Sequence, residues 1–206
     1  MNVLEYPYVF FPVGLNLRGR RCVVIGNDHE AVEKVAALRE VGADVFRIVD
    51  ATNLREEDVR TAFLVISTPQ DEVLSARIRE WADRNRFLFC AIDQPRHGFV
   101  AMQALAKAGP VRIAVSTGGI SPRVGGILRA ALQRVLDKRF ERFIACLSAQ
   151  RERNRLRLEE SEERRRVMRQ AAEGFEVDVT VRFPKWFREE LEACGPQLVE
   201  CYERRD

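Results

Sequence analysis

The feature that most constrains this chain is the run Arg20-Arg21-Cys22-Val23-Val24-Ile25-Gly26. It reads as a short strand, apolar on both faces, that ends in a glycine turn. The next stretch, His29 to Val41, places Val32, Val35, Ala36 and Val41 at helical spacing, and Gly42 stops it. The same alternation then repeats. Asp44–Asp50, Phe63–Thr68 and Phe87–Asp93 read as strands, and Asp71–Asn85 reads as a helix carrying Val73, Ile78 and Trp81. Strands alternating with helices at this spacing dictate right-handed crossovers and a parallel sheet. In such sheets ligands bind beyond the carboxyl ends of the strands. Those ends are Gly26-Asn27-Asp28, Val49-Asp50, Ser67-Thr68 and Asp93.

The pattern changes after Asp93. Phe99–Gln103 and Val111–Val115 read as two further strands joined through Gly109-Pro110, followed by the small-residue loop Ser116–Pro122. Ser121 suits an N-cap and Pro122 a first helical position. The helix starting there carries Val124, Ile127, Leu128, Ala131 and Val135, and continues through Phe140, Phe143, Ile144 and Leu147 in one or two pieces. Gln150–Gln170 is dominated by Arg and Glu, which fits a solvated helix laced by charge pairs three and four residues apart. Phe175, Phe183, Trp186, Phe187 and Leu191 give the tail apolar surface to dock. The expected fold class is α/β. A Rossmann-type domain spans 1–112, a small strand and helix region for dimerisation and the ligand cleft spans 113–150, and a helical region spans 151–206.

Composition narrows the partners. The 34 basic and 31 acidic residues leave a formal charge of +3, so no global field calls for nucleic acid. No apolar run reaches the roughly 20 residues of a membrane span, and the first residues, Met1 to Pro7, lack a secretory pattern. The five cysteines are scattered, and Cys22 and Cys90 fall inside apolar strands, as buried hydrophobes do. A reducing cytoplasm is the expected setting. With only His29 and His97 present and no ligand cluster around either, no metal site is expected.

A dinucleotide turn wants G-x-G-x-x-G/A, so that backbone can approach the diphosphate at a helix N-terminus. Here the run is Gly26-Asn27-Asp28-His29-Glu30-Ala31. The first glycine and the last small residue are in place, but Asp28 occupies the middle position. A carboxylate there opposes an anion, although it also suits a helix cap. Candidate cofactor contacts are Gly26, Asn27, Asp28, His29, Ala31, Ser67 and Thr68, with Asp50 placed to meet a ribose hydroxyl pair.

Several segments in order resemble the precorrin-2 dehydrogenase family, the N-terminal module of siroheme synthases. They are an early Tyr-Pro and Phe-Pro segment, Leu15–Gly26, Ala31 with Lys34, Val65–Thr68, Cys90–Pro95 with Phe99, and Val111–Pro122. The last of these is the most specific, since it looks like the family's strand and S-[ST]-G-G-x-S-P loop. The resemblance implies a homodimer that binds NAD and oxidises precorrin-2 to sirohydrochlorin, some members also inserting ferrous iron. It places the family's proposed catalytic aspartate at Asp93 and brings Thr117 near the tetrapyrrole. A substrate with eight carboxylates calls for guanidinium groups and backbone amides. Arg96, Arg112, Arg123, Ser116, Thr117, Gly118 and Gly119 are the candidate contacts, and Arg129 lies nearby in sequence. The altered turn keeps a second reading open, a chelatase or tetrapyrrole-binding relative without the dinucleotide. A scaffold protein with an abandoned site is a third.

Overall fold

The computed structural model describes residues 10–194. The early Tyr6-Pro7 pair, the side chain of Cys194, and Cys201 lie outside the described residues. The chain divides into two compact units, the first ending at Glu141 and the second beginning at Arg142.

The first unit opens with β1 (Arg21–Ile25), α1 (His29–Glu40), β2 (Asp44–Ile48), the single-turn α2 (Glu56–Val59), β3 (Leu64–Ser67), α3 (Glu72–Asn85) and β4 (Leu88–Ala91). The four strands form one parallel sheet in the order β2-β1-β3-β4. After β2 the chain crosses to the other side of β1, so the connectivity reverses between β1 and β3. The apolar strand runs follow from burial on both faces. Val23, Ile25, Val65 and Phe89 pack toward Leu74, Ile78 and Trp81 of α3. Cys22, Val24, Ile66 and Cys90 pack toward Ala31, Val35 and Leu38 of α1. Each fully buried Val, Ile or Phe contributes roughly 1.5–3 kcal/mol.

Two aspartates start the helices. Asp28 accepts the amide of Ala31 at 2.7 Å, and Asp71 accepts that of Leu74 at 3.0 Å. Cys22 and Cys90 are buried, and burial pushes the Cys90 thiol up to about 11, which makes it a packing residue.

Phe99–Gln103 is not a strand. The hairpin consists of β5 (Ala104–Ala108) and β6 (Val111–Val115), paired antiparallel with Ala108 opposite Val111. The tight Gly109-Pro110 turn sets this register, because only residues adjacent to it can pair across it. Phe99 and Val100 instead donate their amides to the Phe89 carbonyl, at 2.8 and 3.1 Å, and cover the free edge of β4.

α4 (Pro122–Val135) begins at the Ser121 cap and Pro122, as expected. It packs on the hairpin through Leu132, beside Ala106, Ala108, Ile113 and Leu136. The Gln133 side chain exchanges two hydrogen bonds of 3.0 Å with the Lys107 backbone. The helix stops at Leu136, and Asp137 starts α5 (Lys138–Arg157) by accepting the amides of Arg139 and Phe140, each at 2.9 Å.

The second unit holds the rest of α5, then α6 (Ser161–Ala171) and α7 (Lys185–Cys194). The Arg/Glu-rich stretch is therefore two helices broken around Leu158–Glu160. It is laced by i,i+3 pairs such as Arg155–Glu152 at 3.3 Å and Arg166–Glu163 at 3.4 Å. Phe143 and Phe175 stack with centroids 5.1 Å apart. Among the described residues, no helix is long and apolar enough to cross a membrane.

Candidate functional site

Two recesses open at the carboxyl edge of the sheet. The first is a crevice of about 490 Å³ beyond β1, β2 and β3, bordered by Gly26, Asn27, Asp50, Thr52, Asp71 and Arg77. The second is a cleft of about 580 Å³ beyond β4, bordered by Asp93, Lys34, Met102, Ser116, Thr117 and Gly118. Both lie where a parallel sheet places its ligands.

The crevice side of the glycine turn is tightly self-bonded. Gly26 has φ +140°, and a Cβ on it would lie 2.1 Å from Thr68 Oγ1. Thr68, itself buried, donates that hydroxyl to Asp28 Oδ2 at 2.6 Å, while Asp28 Oδ1 accepts the Ala31 amide. These two bonds, the Thr68 hydroxyl first, hold the Asp28 carboxyl below its ordinary range, and the positive charge of Arg47 adds to the effect. Arg47 Nε also donates to the Gly26 carbonyl at 3.1 Å. Asp50 turns on itself in the same way. Its Oδ1 accepts the Thr52 hydroxyl at 2.5 Å and the Thr52 amide at 2.8 Å, which lowers its pKa.

The predicted cofactor contacts thus divide. Gly26, Asn27 and Asp50 border the crevice, and Thr68 and Asp28 brace its turn. Ala31 is buried and contributes its amide to the cap. His29 points to solvent beside Glu33, 3.7 Å away. Ser67 is a correction. It is wholly buried within β3 and its hydroxyl has no partner among the described residues, because a central strand of a parallel sheet is covered on both faces.

At the cleft, Asp93 has φ +58° and an exposed carboxylate that accepts Gln70 Nε2 at 3.1 Å. The turn that carries it is stapled to α3. Buried Gln94 accepts the Ser75 hydroxyl at 2.5 Å and donates to Glu72 at 3.0 Å. Glu72 also receives Arg96 at 2.5 Å and His97 at 2.7 Å, which together lower its pKa, Arg96 most. The loop Ser116–Gly119 borders the cleft as expected, with the Thr117 hydroxyl donated to the Ser121 carbonyl at 3.1 Å.

Two of the three predicted arginines are paired with acids of the chain. Arg96 is spent on Glu72, and Arg112 reaches Glu40 at 3.5 Å. Arg123 is exposed on the first turn of α4, next to the cleft residue Pro122. The cation bordering the cleft is instead Lys34, paired with Glu30 at 3.0 Å. Its position two turns into α1, on the sheet side, was the signal that could have found it. No cluster of three metal-ligating side chains exists among the described residues.

The sequence family described as putative NAD(P)-binding matches residues 13–104. The chain is 29% identical over 152 residues to a siroheme synthase of Nitrosococcus oceani, covering 65% of this chain and 32% of that protein. It is 28% identical over 184 residues to the siroheme synthase of Thioalkalivibrio sulfidiphilus, covering 80% and 37%. Among solved structures, SirC, a precorrin-2 dehydrogenase, superposes with a TM-score of 0.66 over 93% of this chain and 100% of its own, at 17% identity. The chain is thus similar to siroheme synthases over most of its length, and its first half carries a segment of the putative NAD(P)-binding kind. It spans about a third of the length of the curated relatives it matches. The likeness to SirC is one of fold.

For a nicotinamide dinucleotide the crevice offers an open recess and, in Asp50 Oδ2, a carboxylate oxygen outside the Thr52 bonds. That suits an adenosine ribose. The α1 amide that would meet a diphosphate already serves Asp28.

Proposed function

We propose that this chain oxidises a carboxylate-rich reduced tetrapyrrole of the precorrin-2 kind in the β4 cleft, with a nicotinamide dinucleotide, NAD, lodged in the crevice beyond β1 and β2. The observation that carries the reading is the exposed Asp93 carboxylate at the border of a cleft lined by the Ser116–Gly119 loop. The likeness to siroheme synthases supports the substrate class.

In this reading Lys34 and the loop amides meet the substrate's carboxylates, and Arg123 extends the basic rim. The Glu72 staple and Gln70 fix the turn and aim the Asp93 carboxylate into the cleft. Loss of a carbon–hydrogen pair requires one proton and one hydride to leave. Asp93 takes the proton. The nicotinamide, when bound, supplies the hydride acceptor, and Asp50 holds its adenosine ribose. Insertion of ferrous iron into the product would use the same carboxylate to strip the pyrrole N–H protons. A homodimer belongs to the same proposal. Val124, Ile127 and Leu128 leave an apolar face of α4 exposed in the single chain, which a second copy would cover.

The second reading, tetrapyrrole binding or chelation without redox, is favoured by one observation, the Asp28 carboxylate seated on the Ala31 amide. One anaerobic experiment separates them. Purified chain is mixed with precorrin-2 and NAD, and the absorbance of sirohydrochlorin is followed. Catalysed appearance of that spectrum supports the dehydrogenase. Tight sirohydrochlorin binding by calorimetry without turnover leaves the second reading in its place.

A further inference from the structure

We infer that the anion-binding group of the β1–β2 crevice is Arg77, which takes over the part that helix amides play in an ordinary glycine turn. This rests on the nucleotide part of the reading above. The Ala31 amide is already taken by the chain itself. Asp28 accepts the Ala31 amide at 2.7 Å and the Thr68 hydroxyl at 2.6 Å, so a diphosphate arriving there would have to displace a carboxylate held from two sides. Each acid of the crevice is similarly committed. Asp50 is bonded to Thr52 and Asp71 to the Leu74 amide. These bonds fix the carboxylates in place without neutralising them, and Asp50 keeps its Oδ2 outside them.

Arg77 is the exception. It is the one cation among the residues bordering the crevice, it stands on the second turn of α3, and among the described residues it has no acidic partner within ion-pair distance. Its guanidinium lies over the Trp81 ring, 5.2 Å from the centroid, which restrains the side chain while leaving its N–H groups unspent. A planar fork of donors, in a recess whose acids are held in place by the chain's own hydrogen bonds, suits a phosphate or diphosphate. The nearby ribose acid, Asp50, makes an adenosine diphosphate group the ligand that uses both ends of the crevice.

The test is calorimetry on the full chain with four probes: NADH, ADP-ribose, adenosine and inorganic pyrophosphate. Arg77→Gln should weaken NADH and ADP-ribose by about tenfold or more, the weight of a charge-assisted hydrogen-bond pair, and leave adenosine within about twofold. Pyrophosphate binding that is also lost in Arg77→Gln identifies a phosphate site in its own right, and its failure to compete with ADP-ribose would overturn the assignment. NADH binding unchanged in Arg77→Gln but tightened in Asp28→Gly would return the diphosphate to the α1 amides and defeat the inference while sparing the cofactor reading. Absence of binding by all four probes to the unsubstituted chain would defeat both. Thermal melts of both variants check that the fold is intact.

Discussion

The crevice and the cleft sit along one edge of one sheet, yet they are finished differently. Around Gly26 the chain has paired its polar groups with each other: Thr68 with Asp28, Asp28 with Ala31, Arg47 with the Gly26 carbonyl, Asp50 with Thr52. At Asp93 the stapling lies behind the functional group, through Gln94, Glu72, Arg96 and His97, and the carboxylate itself receives a side-chain amide from Gln70. Strain is placed accordingly. The positive φ of Gly26 is absorbed by a glycine, whereas that of Asp93 falls on a residue with a side chain, held by its surroundings. An internally satisfied turn is finished as a joint, and a braced but exposed carboxylate is left available to a ligand.

The largest expected effect breaks the comparison at the cleft. Asp93→Asn keeps the backbone's left-handed tolerance and removes the charge, so sirohydrochlorin formation should fall by roughly 10²–10⁴-fold with the melting temperature unchanged. An unaltered rate would mean another group takes the proton. Next, Gly26→Ala tests the joint. Its Cβ would meet the Thr68 hydroxyl, so urea unfolding should show a loss of about 3 kcal/mol or more, partly recovered by adding Thr68→Ala. A neutral outcome would mean the Thr68 contact is not held in solution. Smaller still, Asp71→Ala removes the α3 cap and should cost about 1 kcal/mol in the same assay.

The last prediction concerns pH. The Asp28 pKa is lower in the folded than in the unfolded chain, so its stabilisation is complete above the unfolded value near 3.8 and is lost as pH falls through the folded value. Asp28→Asn should flatten the part of the acid limb below pH 4 in a pH-dependent melt, and an unchanged limb would assign the acid sensitivity to other carboxylates.

Much of the fold was legible because it depends on local pattern. The apolar strand runs and the Ser121-Pro122 helix entry each announce themselves within a few residues, and all appear within about two residues of their expected ends. The edge of the sheet was legible too, which is why Asp93 and the Ser116–Gly119 loop do border one cleft. What failed was long-range pairing. Nothing near Asp28 in sequence reveals a bond to Thr68, 40 residues on, and nothing near Arg112 points to Glu40. A basic residue close in sequence to a cleft is free to spend its charge elsewhere, as Arg96 does, while Lys34 arrives from a distant helix. Phe99–Gln103 misled because an apolar segment covering a strand edge looks, residue by residue, like a strand.

The left-handed backbone at Asp93 also restricts how this position can drift over generations. Glycine, asparagine and aspartate occupy such a conformation most readily, although Arg86 adopts it at the end of α3. A lineage losing the acid would therefore pass to an amide or to a bare hydrogen before any bulky or β-branched replacement. The peptide geometry, apart from any selection on chemistry, narrows the vocabulary of this site toward residues that tolerate a left-handed turn.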